Sequence, residues 1–504
     1  MGLRGIAKGL LAVAAVLGAL AGGELVLRWL DGYQAMSVVL RQTRTPPVAA
    51  PTTSADLQYL ARIPVASGVD RAWYALEPDR LQPAGHDVEL ARRAERYPAD
   101  FSTPFFSFNR RYLQQQACGP SHGAGLPSLA DFFYFDPIEA LPYPTYRHLP
   151  HVSPPGWFVT NNFGWRGHDI ALDRSARVIR IAFVGASTTI DGYGVPFSHP
   201  ELVEHWLNTW ASASHRPYSF EVINAGRSGI DSHSIAAVVR QELLPVDPDL
   251  VVFYEGANQF WPGQLMDFRF GRLYPRPTRT FRQRLAAENY SVAVRRVLGL
   301  FDRFTGQDGR EPRKPPYTVN WPRDVDERDP DVFASDLPMD LRQVVSDLKN
   351  MREALAARGG ELAISSFVWL VHDGMQLDLK RHLQIYRYLN DSYWPISYAL
   401  MRRMADFQNR VFEKYAQVER LPYLDIAERF PQDPDLFGDA IHMTYPGLKL
   451  QAWLFVQALV PIILARTEAG TWPRPEPPPQ RTHPAFDQPG RRLISLSALK
   501  ASCD

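Results

Sequence analysis

The chain of 504 residues has only two cysteines, Cys118 and Cys503. Two thiols are too few for the Cys or Cys/His clusters that hold structural metal ions, so the sequence predicts no metal site. A single disulfide between the two is formally possible. We interpret them instead as two unrelated thiols, because Cys503 is the penultimate residue.

An excess of charge of either sign is also missing, since 55 Lys and Arg residues face 54 Asp and Glu residues. Proteins that bind the phosphates of nucleic acids carry a basic excess, so nucleic acid is excluded as the main partner. What the chain does contain is apolar sequence: 45% of the residues are hydrophobic and 12% are aromatic, enough for a substantial core. Its length leaves room for one large domain or two ordinary ones.

The N-terminus carries an apolar segment behind basic residues. Arg4 and Lys8 precede an uncharged run over 9–23, and apolar residues continue to Leu30. The run with its continuation reaches the ~20 residues that span a bilayer, with Glu24 at the outer interface. Basic residues ahead of such a run place the N-terminus in the cytoplasm. We therefore expect residues 1–31 to be a single-pass anchor in the cell inner membrane, with the rest of the chain outside the cytoplasm.

A cleavable signal peptide is the alternative interpretation of the same segment. Ala19 and Ala21 flank Leu20 in the small-x-small form of a cleavage site, and cleavage would leave a secreted or periplasmic protein. We favour the uncleaved anchor, because the apolar stretch continues past that site to Leu30. Both interpretations export the remainder of the chain.

Composition divides that remainder into segments. A stretch rich in Pro, Thr and Ala over 42–56 predicts a linker, and residues 57–155 form an extension to which no regular architecture is assigned. Alternating strand and helix patterns occupy 156–466. They are interrupted over about 262–335 by a segment rich in Arg, Pro and Asp, which predicts an insertion. The Pro-rich tail, 470–504, is predicted to be disordered.

Short apolar runs alternate with amphipathic stretches between the extension and the tail. Each of the first three runs is followed by a loop of small and polar residues and then by a helical pattern. Strand, loop and helix repeated in this way predict a parallel α/β sheet with right-handed crossovers. The predicted strands lie at 178–184, 220–223, 250–254, 361–369 and 424–427, and the helices after the second strand and late in the chain at 232–244, 396–416 and 448–466.

Small and polar residues lie where these strands end. Ser187, Gly229 and Asn258 follow the first three strands, and Asp439 and His442 lie on a loop before the last helix. Because sites in open α/β sheets form beyond the carboxyl ends of the strands, we expect these residues to meet. Each one alone is common, since a serine after a strand usually caps a helix and a loop asparagine usually shapes a turn. Their joint occurrence favours a catalytic site.

The same residues lie in four short blocks that resemble those of the SGNH, or GDSL-like, hydrolase superfamily, in particular its membrane-anchored bacterial type. The blocks are Gly-x-Ser at 185–187, Asn-x-Gly-x-x-Gly at 224–229, Gly-x-Asn at 256–258 and Asp-x-x-His at 439–442. The resemblance implies a three-layer α/β/α sandwich around a flavodoxin-like parallel sheet. Ala186 and Gln259 stand where the family pattern has aspartates. These two departures bear on the substrate class more than on catalysis.

The resemblance implies that Ser187 is a nucleophile, with His442 as its base and Asp439 as the acid that orients the base. The chemistry of the side chains agrees with these roles. A serine hydroxyl attacks poorly until a neighbouring base takes its proton, and histidine is suited to this task near neutral pH. An aspartate three residues before the histidine can reach the other imidazole nitrogen and stabilise the imidazolium.

Attack on an ester creates a negative oxygen that needs hydrogen-bond donors. The resemblance assigns this oxyanion hole to the backbone N–H groups of Ser187 and Gly229 and to the side-chain amide of Asn258. Glycine suits position 229, because the loop must approach the substrate without a side chain in the way. Gly226 is an alternative donor.

Other residues near these blocks are weaker candidates for the catalytic site. We interpret His372, with the aspartate that follows it, as a feature of the surface or of the pocket rim, because Asp439 and His442 already supply the acid–base pair. The carboxylates of Asp191 and Glu255 either contact substrate or are simply solvated. Phe260 and Trp261 either line a pocket for an acyl group or a sugar, or pack under the insertion.

Together these inferences predict an exported serine esterase that hydrolyses carboxylic esters through an acyl-serine intermediate and needs no cofactor. Its expected partners are the membrane and an acylated small molecule, lipid or glycan. Export favours removal of O-acetyl groups from a cell-envelope or extracellular glycan. The first alternative is an O-acyltransferase that uses the same site on a polysaccharide, so that a sugar hydroxyl rather than water attacks the acyl-serine. The second is a non-catalytic glycan-binding or assembly protein.

Overall fold

A computed structural model of the chain describes residues 3–30, 54–81, 133–136, 145–148, 151, 158–191, 195–266, 309–379, 381–475 and 483. Most of the predicted linker, extension and tail lie outside the described residues, as do part of the predicted insertion and both cysteines. The domain boundaries inferred from composition therefore stay predictions.

Five parallel strands form the central sheet, and a separate antiparallel hairpin pairs β1 (Phe133–Asp136) with β2 (Thr145–His148). The strands of the sheet are β3 (Val178–Gly185), β4 (Ser219–Asn224), β5 (Leu250–Tyr254), β6 (Glu361–Ser365) and β7 (Tyr423–Leu424). They lie in the order β4-β3-β5-β6-β7. The chain moves from β3 outward to one edge at β4, and then returns past β3 to add strands on the other side. This order confirms the predicted flavodoxin-like sheet.

Burial explains why these strands appear in the sequence as continuous apolar runs. Every residue of β5 is buried, and in β3 only Val178 is half-buried. Parallel sheets are covered by helices on both faces, which removes the usual alternation of apolar and polar residues.

Nine α-helices flank or precede the strands in the described part of the chain. They are α1 (Leu3–Leu30), α2 (Ser54–Arg62), α3 (Ser187–Ile190), α4 (His199–Ala213), α5 (Ser232–Val238), α6 (Leu341–Ala356), α7 (Leu383–Arg387), α8 (Tyr398–Val418) and α9 (Tyr445–Glu468). The helix that the sequence predicts at 232–244 ends as α5 at Val238 and continues as a π-helical turn over Val239–Leu243.

Helices cover both faces of the sheet. On one face Phe455 of α9 packs edge-on against Phe183 of β3, with ring centroids 5.1 Å apart. On the opposite face Phe412 of α8 packs against Phe253 of β5 at 6.0 Å. Helix α4 lies beside α9, whereas α6 contacts both α5 and α8. Two helical layers around one sheet confirm the predicted three-layer sandwich.

Two strands are shorter than the sequence predicts. β6 ends at Ser365, and β7 ends at Leu424. The hydroxyl of Ser366 accepts the backbone N–H groups of Ile426 and Ala427, each at 2.8 Å. A side chain therefore satisfies the donors that a longer strand would offer to its neighbour, and the ladder stops.

The N-terminal helix α1 exposes apolar side chains. Leu17 is 60% exposed and Leu20 is 65% exposed, and the apolar part of the helix covers Ala15–Leu27. Within the described residues one helix, α9, is long and apolar enough to cross a membrane by length and composition, but 72% of its most apolar window is buried. Its burial against the sheet identifies α9 as a core helix of the sandwich.

Residues 54–81 pack onto the layer formed by α4 and α9. Tyr74 is buried between two tryptophans, stacked on Trp206 and edge-on to Trp453, with both centroid distances at 5.7 Å. The indole N–H of Trp206 donates to the Leu76 carbonyl oxygen at 3.0 Å. This part of the predicted extension therefore belongs to the same packed body as the sheet.

Candidate active site

Ser187 lies at a sharp turn between β3 and α3. It is the first residue of the helix, so its backbone N–H has no partner within the helix. Close packing requires glycine just before the turn, because a Cβ on Gly185 would lie 2.1 Å from both the Thr189 hydroxyl oxygen and the Tyr254 carbonyl oxygen. The turn places the serine at the carboxyl end of the sheet, where 8% of it is exposed.

The structure brings Ser187, His442 and Asp439 together. The Ser187 Oγ lies 2.9 Å from Nε2 of His442, and Nδ1 of the same ring lies 2.7 Å from Oδ2 of Asp439. The other carboxylate oxygen accepts the backbone N–H groups of Ile441 and His442 at 2.9 and 2.8 Å. The aspartate is therefore fixed by its own loop, and its second oxygen is directed at the imidazole.

The charge of Asp439 decides which imidazole nitrogen carries a proton. Burial raises the pKa of this carboxyl group, but His442 and the hydrogen bonds to the carboxylate outweigh burial, so that the pKa of Asp439 lies below its ordinary value. Asp439 is then ionised at neutral pH and can only accept hydrogen bonds. A proton therefore stays on Nδ1 of His442, and Nε2 accepts the hydrogen bond that the Ser187 hydroxyl donates.

The three predicted oxyanion donors lie on three loops at the same end of the sheet. In the part of the chain that the structure describes, the backbone N–H groups of Ser187 and Gly229 donate to no protein acceptor. Gly229 has a φ of 75°, a left-handed conformation that glycine adopts without strain. The amide of Asn258 donates one hydrogen to the Ile230 carbonyl oxygen at 2.8 Å. This contact orients the amide and leaves its second hydrogen for another acceptor.

Gly226, the alternative donor, is engaged in holding loops together. Its backbone N–H donates to the Asn224 side chain at 3.1 Å, and Asn224 donates to the Thr189 carbonyl oxygen at 3.0 Å. A Cβ on Gly226 would lie 2.5 Å from the backbone nitrogen of Ile190. The second block therefore packs directly on helix α3, and Gly229 is the better placed donor.

Two carboxylates near the site are buried, contrary to the interpretation that they are solvated. Asp191 is 8% exposed, and its Oδ2 accepts hydrogen bonds from Nδ1 and the backbone N–H of His199 at 2.7 and 2.8 Å. Glu255 is 1% exposed and accepts the backbone N–H groups of Ala257 and Asn258. Both carboxylates are therefore bound by the protein itself.

The residues predicted near the rim of the site differ in burial. Phe260 is buried against Trp369, with ring centroids 4.9 Å apart, whereas Trp261 is 52% exposed. Nδ1 of His372 contacts the backbone carbonyl oxygen of Asp373 at 3.0 Å rather than its carboxylate. Among the described residues, no group of three or more His, Cys, Asp or Glu side chains is arranged to hold a metal ion.

The chain is similar to solved structures of GDSL-like lipases and acetyl xylan esterases. A GDSL-like lipase from Bacteroides thetaiotaomicron VPI-5482 is 15% identical and matches over 56% of this chain and 89% of its own, with a TM-score of 0.26. A variant of an acetyl xylan esterase from Geobacillus stearothermophilus is 14% identical over 56% of this chain and 94% of its own, with a TM-score of 0.27.

An alpha/beta hydrolase enzyme from the metagenome of Lake Arreo, Spain, is 13% identical over 56% of this chain and 94% of its own, with a TM-score of 0.30. No family model and no curated protein matches the chain. Since a likeness at these TM-scores carries no weight by itself, the architecture rests on the sheet order and the helical layers, and the chemistry rests on the geometry of the site.

Proposed function

We propose that the chain is a membrane-tethered serine ester hydrolase of the SGNH, or GDSL-like, kind, with Ser187 as nucleophile, His442 as base and Asp439 as orienting acid. The observation that carries the proposal is the unbroken hydrogen-bond chain from hydroxyl to imidazole to carboxylate, at 2.9 and 2.7 Å. This order of groups activates a serine for attack on a carbonyl carbon.

The reaction proceeds in two steps. The Ser187 oxygen attacks the ester carbonyl carbon while Nε2 of His442 takes the hydroxyl proton. The imidazolium then gives that proton to the leaving alcohol, the ester C–O bond breaks, and an acyl-serine remains. In the second step Nε2 takes a proton from water, the hydroxide attacks the acyl-serine, and the proton returns to Ser187 as the carboxylic acid leaves.

The oxyanion of each step is stabilised by donors from the protein. These are the backbone N–H groups of Ser187 and Gly229 and the second hydrogen of the Asn258 amide. The Asn258 amide is already oriented by the Ile230 carbonyl oxygen, so little reorganisation of this donor is needed when negative charge develops on the carbonyl oxygen.

The proposed substrate is an O-acetylated glycan outside the cytoplasm. Two features of the N-terminus support this location: Arg4 and Lys8 precede the apolar run in the sequence, and Leu17 and Leu20 of α1 expose their side chains as a membrane helix does. An ester on an envelope or extracellular glycan would lie on the same side of the membrane as the catalytic domain.

Hydrolysis of p-nitrophenyl acetate by the full-length protein in detergent tests the nucleophile. We expect Ser187→Ala to lower kcat by at least ~10³-fold, as loss of a serine nucleophile does. Ser365→Ala is the matched control, because it also removes a buried serine hydroxyl at the end of a strand, and its kcat should stay within about twofold of wild type. Equal rates for Ser187→Ala and wild type would overturn the proposal. Labelling with a fluorophosphonate, mapped to Ser187 by mass spectrometry, separates an enzyme from a glycan-binding protein.

Release of acetate from a purified O-acetylated glycan, with and without an acceptor sugar, tests the fate of the acyl group. A hydrolase releases acetate at the same rate in both conditions. If acetyl groups appear on the acceptor while acetate release falls, the chain is an O-acyltransferase, since a sugar hydroxyl has then replaced water as the second nucleophile.

A further inference from the structure

Glu255 is a buried acid at the carboxyl end of β5 that the proposed mechanism does not use. Its Oε1 accepts the backbone N–H groups of Ala257 and Asn258 at 2.7 and 2.8 Å. The backbone N–H groups of Gly256 and Ala186 lie near enough to this carboxyl group to lower its pKa. One side chain therefore faces N–H groups from two different loops.

These two loops carry different parts of the proposed machinery. Ala186 immediately precedes the nucleophile Ser187, and Asn258 carries the amide of the oxyanion hole. The second loop is also held from its far side, because Nε2 of Gln408 donates to the Gly256 carbonyl oxygen at 2.7 Å. The carboxyl group of Glu255 thus lies between the turn that presents the hydroxyl and the turn that presents the amide.

We infer that Glu255 is a positioning residue, which holds the nucleophile turn and the oxyanion turn at a fixed separation; this inference rests on the proposed esterase function. An ionised carboxylate accepts hydrogen bonds at both oxygens, whereas a protonated acid turns one oxygen into a donor that faces other donors. The ionised form therefore positions the site, and the neutral form loosens it. Loosening affects the transition state more than substrate binding, because the oxyanion exists only after attack.

Because Glu255 is buried, its carboxyl group ionises in the pH range at which enzymes are usually assayed. Burial raises the pKa of this carboxyl group to about 7, and the N–H donors act in the opposite direction. Its charge raises the pKa of three tyrosine hydroxyls, and two further carboxylates act on the same tyrosines. These are Tyr254, Tyr388, Tyr393, Asp191 and Asp439.

Glu255→Gln in the full-length protein tests the inference, since it keeps the size of the side chain and replaces one oxygen by an N–H donor. With p-nitrophenyl acetate we expect kcat to fall about 10–100-fold while KM stays within about threefold. Asp249→Asn is the matched control, because Asp249 directly precedes β5, is fully buried, and accepts the backbone N–H of Arg180 at 2.7 Å. It removes a buried carboxylate at the other end of the same strand together with its ion pairs to Arg174 and Arg474. Its kcat per folded enzyme should stay within about twofold of wild type, because Asp249 lies away from the carboxyl end of the sheet.

The pH profile of kcat/KM is a second readout. If activity needs an ionised Glu255, the wild-type profile contains an ionisation near pH 7 that the profile of Glu255→Gln lacks. The same pH profile for both proteins, or a wild-type kcat for Glu255→Gln, overturns the positioning role. If Ser187→Ala is inactive in the same assays, the proposed function survives that result, whereas a fully active Ser187→Ala overturns both.

Discussion

Ser187 and His442 are 255 residues apart in the sequence, yet the hydroxyl oxygen of one lies 2.9 Å from Nε2 of the other. Backbone contacts maintain this approach from the histidine side. The N–H of Leu370, just beyond β6, donates to the carbonyl oxygen of Ala440 at 2.8 Å and so ties the acid–base loop to the sheet. These contacts fix the imidazole beside the hydroxyl, which is the preorganisation that acyl transfer requires.

Asp439→Asn should lower kcat for p-nitrophenyl acetate by about 10³–10⁴-fold, because the amide favours the imidazole tautomer that cannot accept the serine proton. KM should change little, since Asp439 does not face the substrate. Asp435→Asn is the control: Asp435 also pairs with a histidine, its Oδ1 lying 2.7 Å from Nε2 of His382, but it lies outside the hydrogen-bond chain. A large loss in both variants would contradict a specific role for Asp439.

Asn258→Ala should lower kcat by about 10²–10³-fold, as removal of one side-chain oxyanion donor does in other acyl transferring sites. Asn258→Asp keeps the shape of the side chain but turns the donor into a negative charge that repels both the oxyanion and the Ile230 carbonyl oxygen. We therefore expect the aspartate variant to be the slower of the two. Steady-state kinetics on p-nitrophenyl acetate compare them, and an aspartate variant as active as wild type would remove Asn258 from the oxyanion hole.

Gly226→Ala should inactivate the enzyme although Gly226 itself touches no reacting atom. The added Cβ would lie 2.5 Å from the backbone nitrogen of Ile190 and 2.9 Å from Cβ of Thr189, so helix α3 must shift and carry Ser187 with it. Gly438→Ala is the control, because a Cβ there meets its nearest atom, the His442 carbonyl oxygen, at an ordinary 3.6 Å. The rate of fluorophosphonate labelling measures the effect. Equal labelling of the two variants would show that the loop accommodates the added methyl group without displacing Ser187.

The sheet and the four blocks could be predicted from the sequence because their signals are local. The run from Val178 to Val184 is apolar throughout since the strand is buried on both faces, and a serine, a glycine and an asparagine follow three such runs directly. Parallel strands then bring those three loops to one edge without any knowledge of packing. The roles of the residues stay predictions, because a contact between a hydroxyl and an imidazole does not by itself demonstrate catalytic turnover.

Features that depend on contacts between distant segments could not be predicted in the same way. Tyr74 stacks on Trp206, but no periodic pattern in the sequence around Tyr74 predicts that contact. The position of this segment on the helical layer could therefore not be inferred from the sequence. The early end of β6 depends on one hydroxyl, that of Ser366, which accepts two backbone N–H groups from beyond β7. In the sequence Glu255 resembles any solvated loop acid, whereas in the structure it is buried and accepts two backbone N–H groups.

Glu255 should contribute to the pH dependence of the free energy of unfolding. The pKa of a glutamate in the unfolded chain is close to 4.5, and burial raises it to about 7 in the folded protein. The folded state therefore holds this proton more tightly, so the contribution of Glu255 to stability is complete below about pH 4.5 and is lost as the pH rises through about 7. This difference between the pKa values of Glu255 in the unfolded and folded states corresponds to roughly 3 kcal/mol of unfolding free energy.

Urea unfolding of wild type and Glu255→Gln, measured between about pH 4.5 and about pH 8, isolates this contribution because all other titrating groups are shared. We expect the stability of wild type relative to the variant to fall as the pH rises across that range. The catalytic effect has the opposite sign, since the same ionisation that costs folding free energy fixes the two turns of the site. A constant difference in the free energy of unfolding would mean that Glu255 does not take up its proton near neutral pH, and stability would then be uncoupled from the positioning of Asn258 and Ser187.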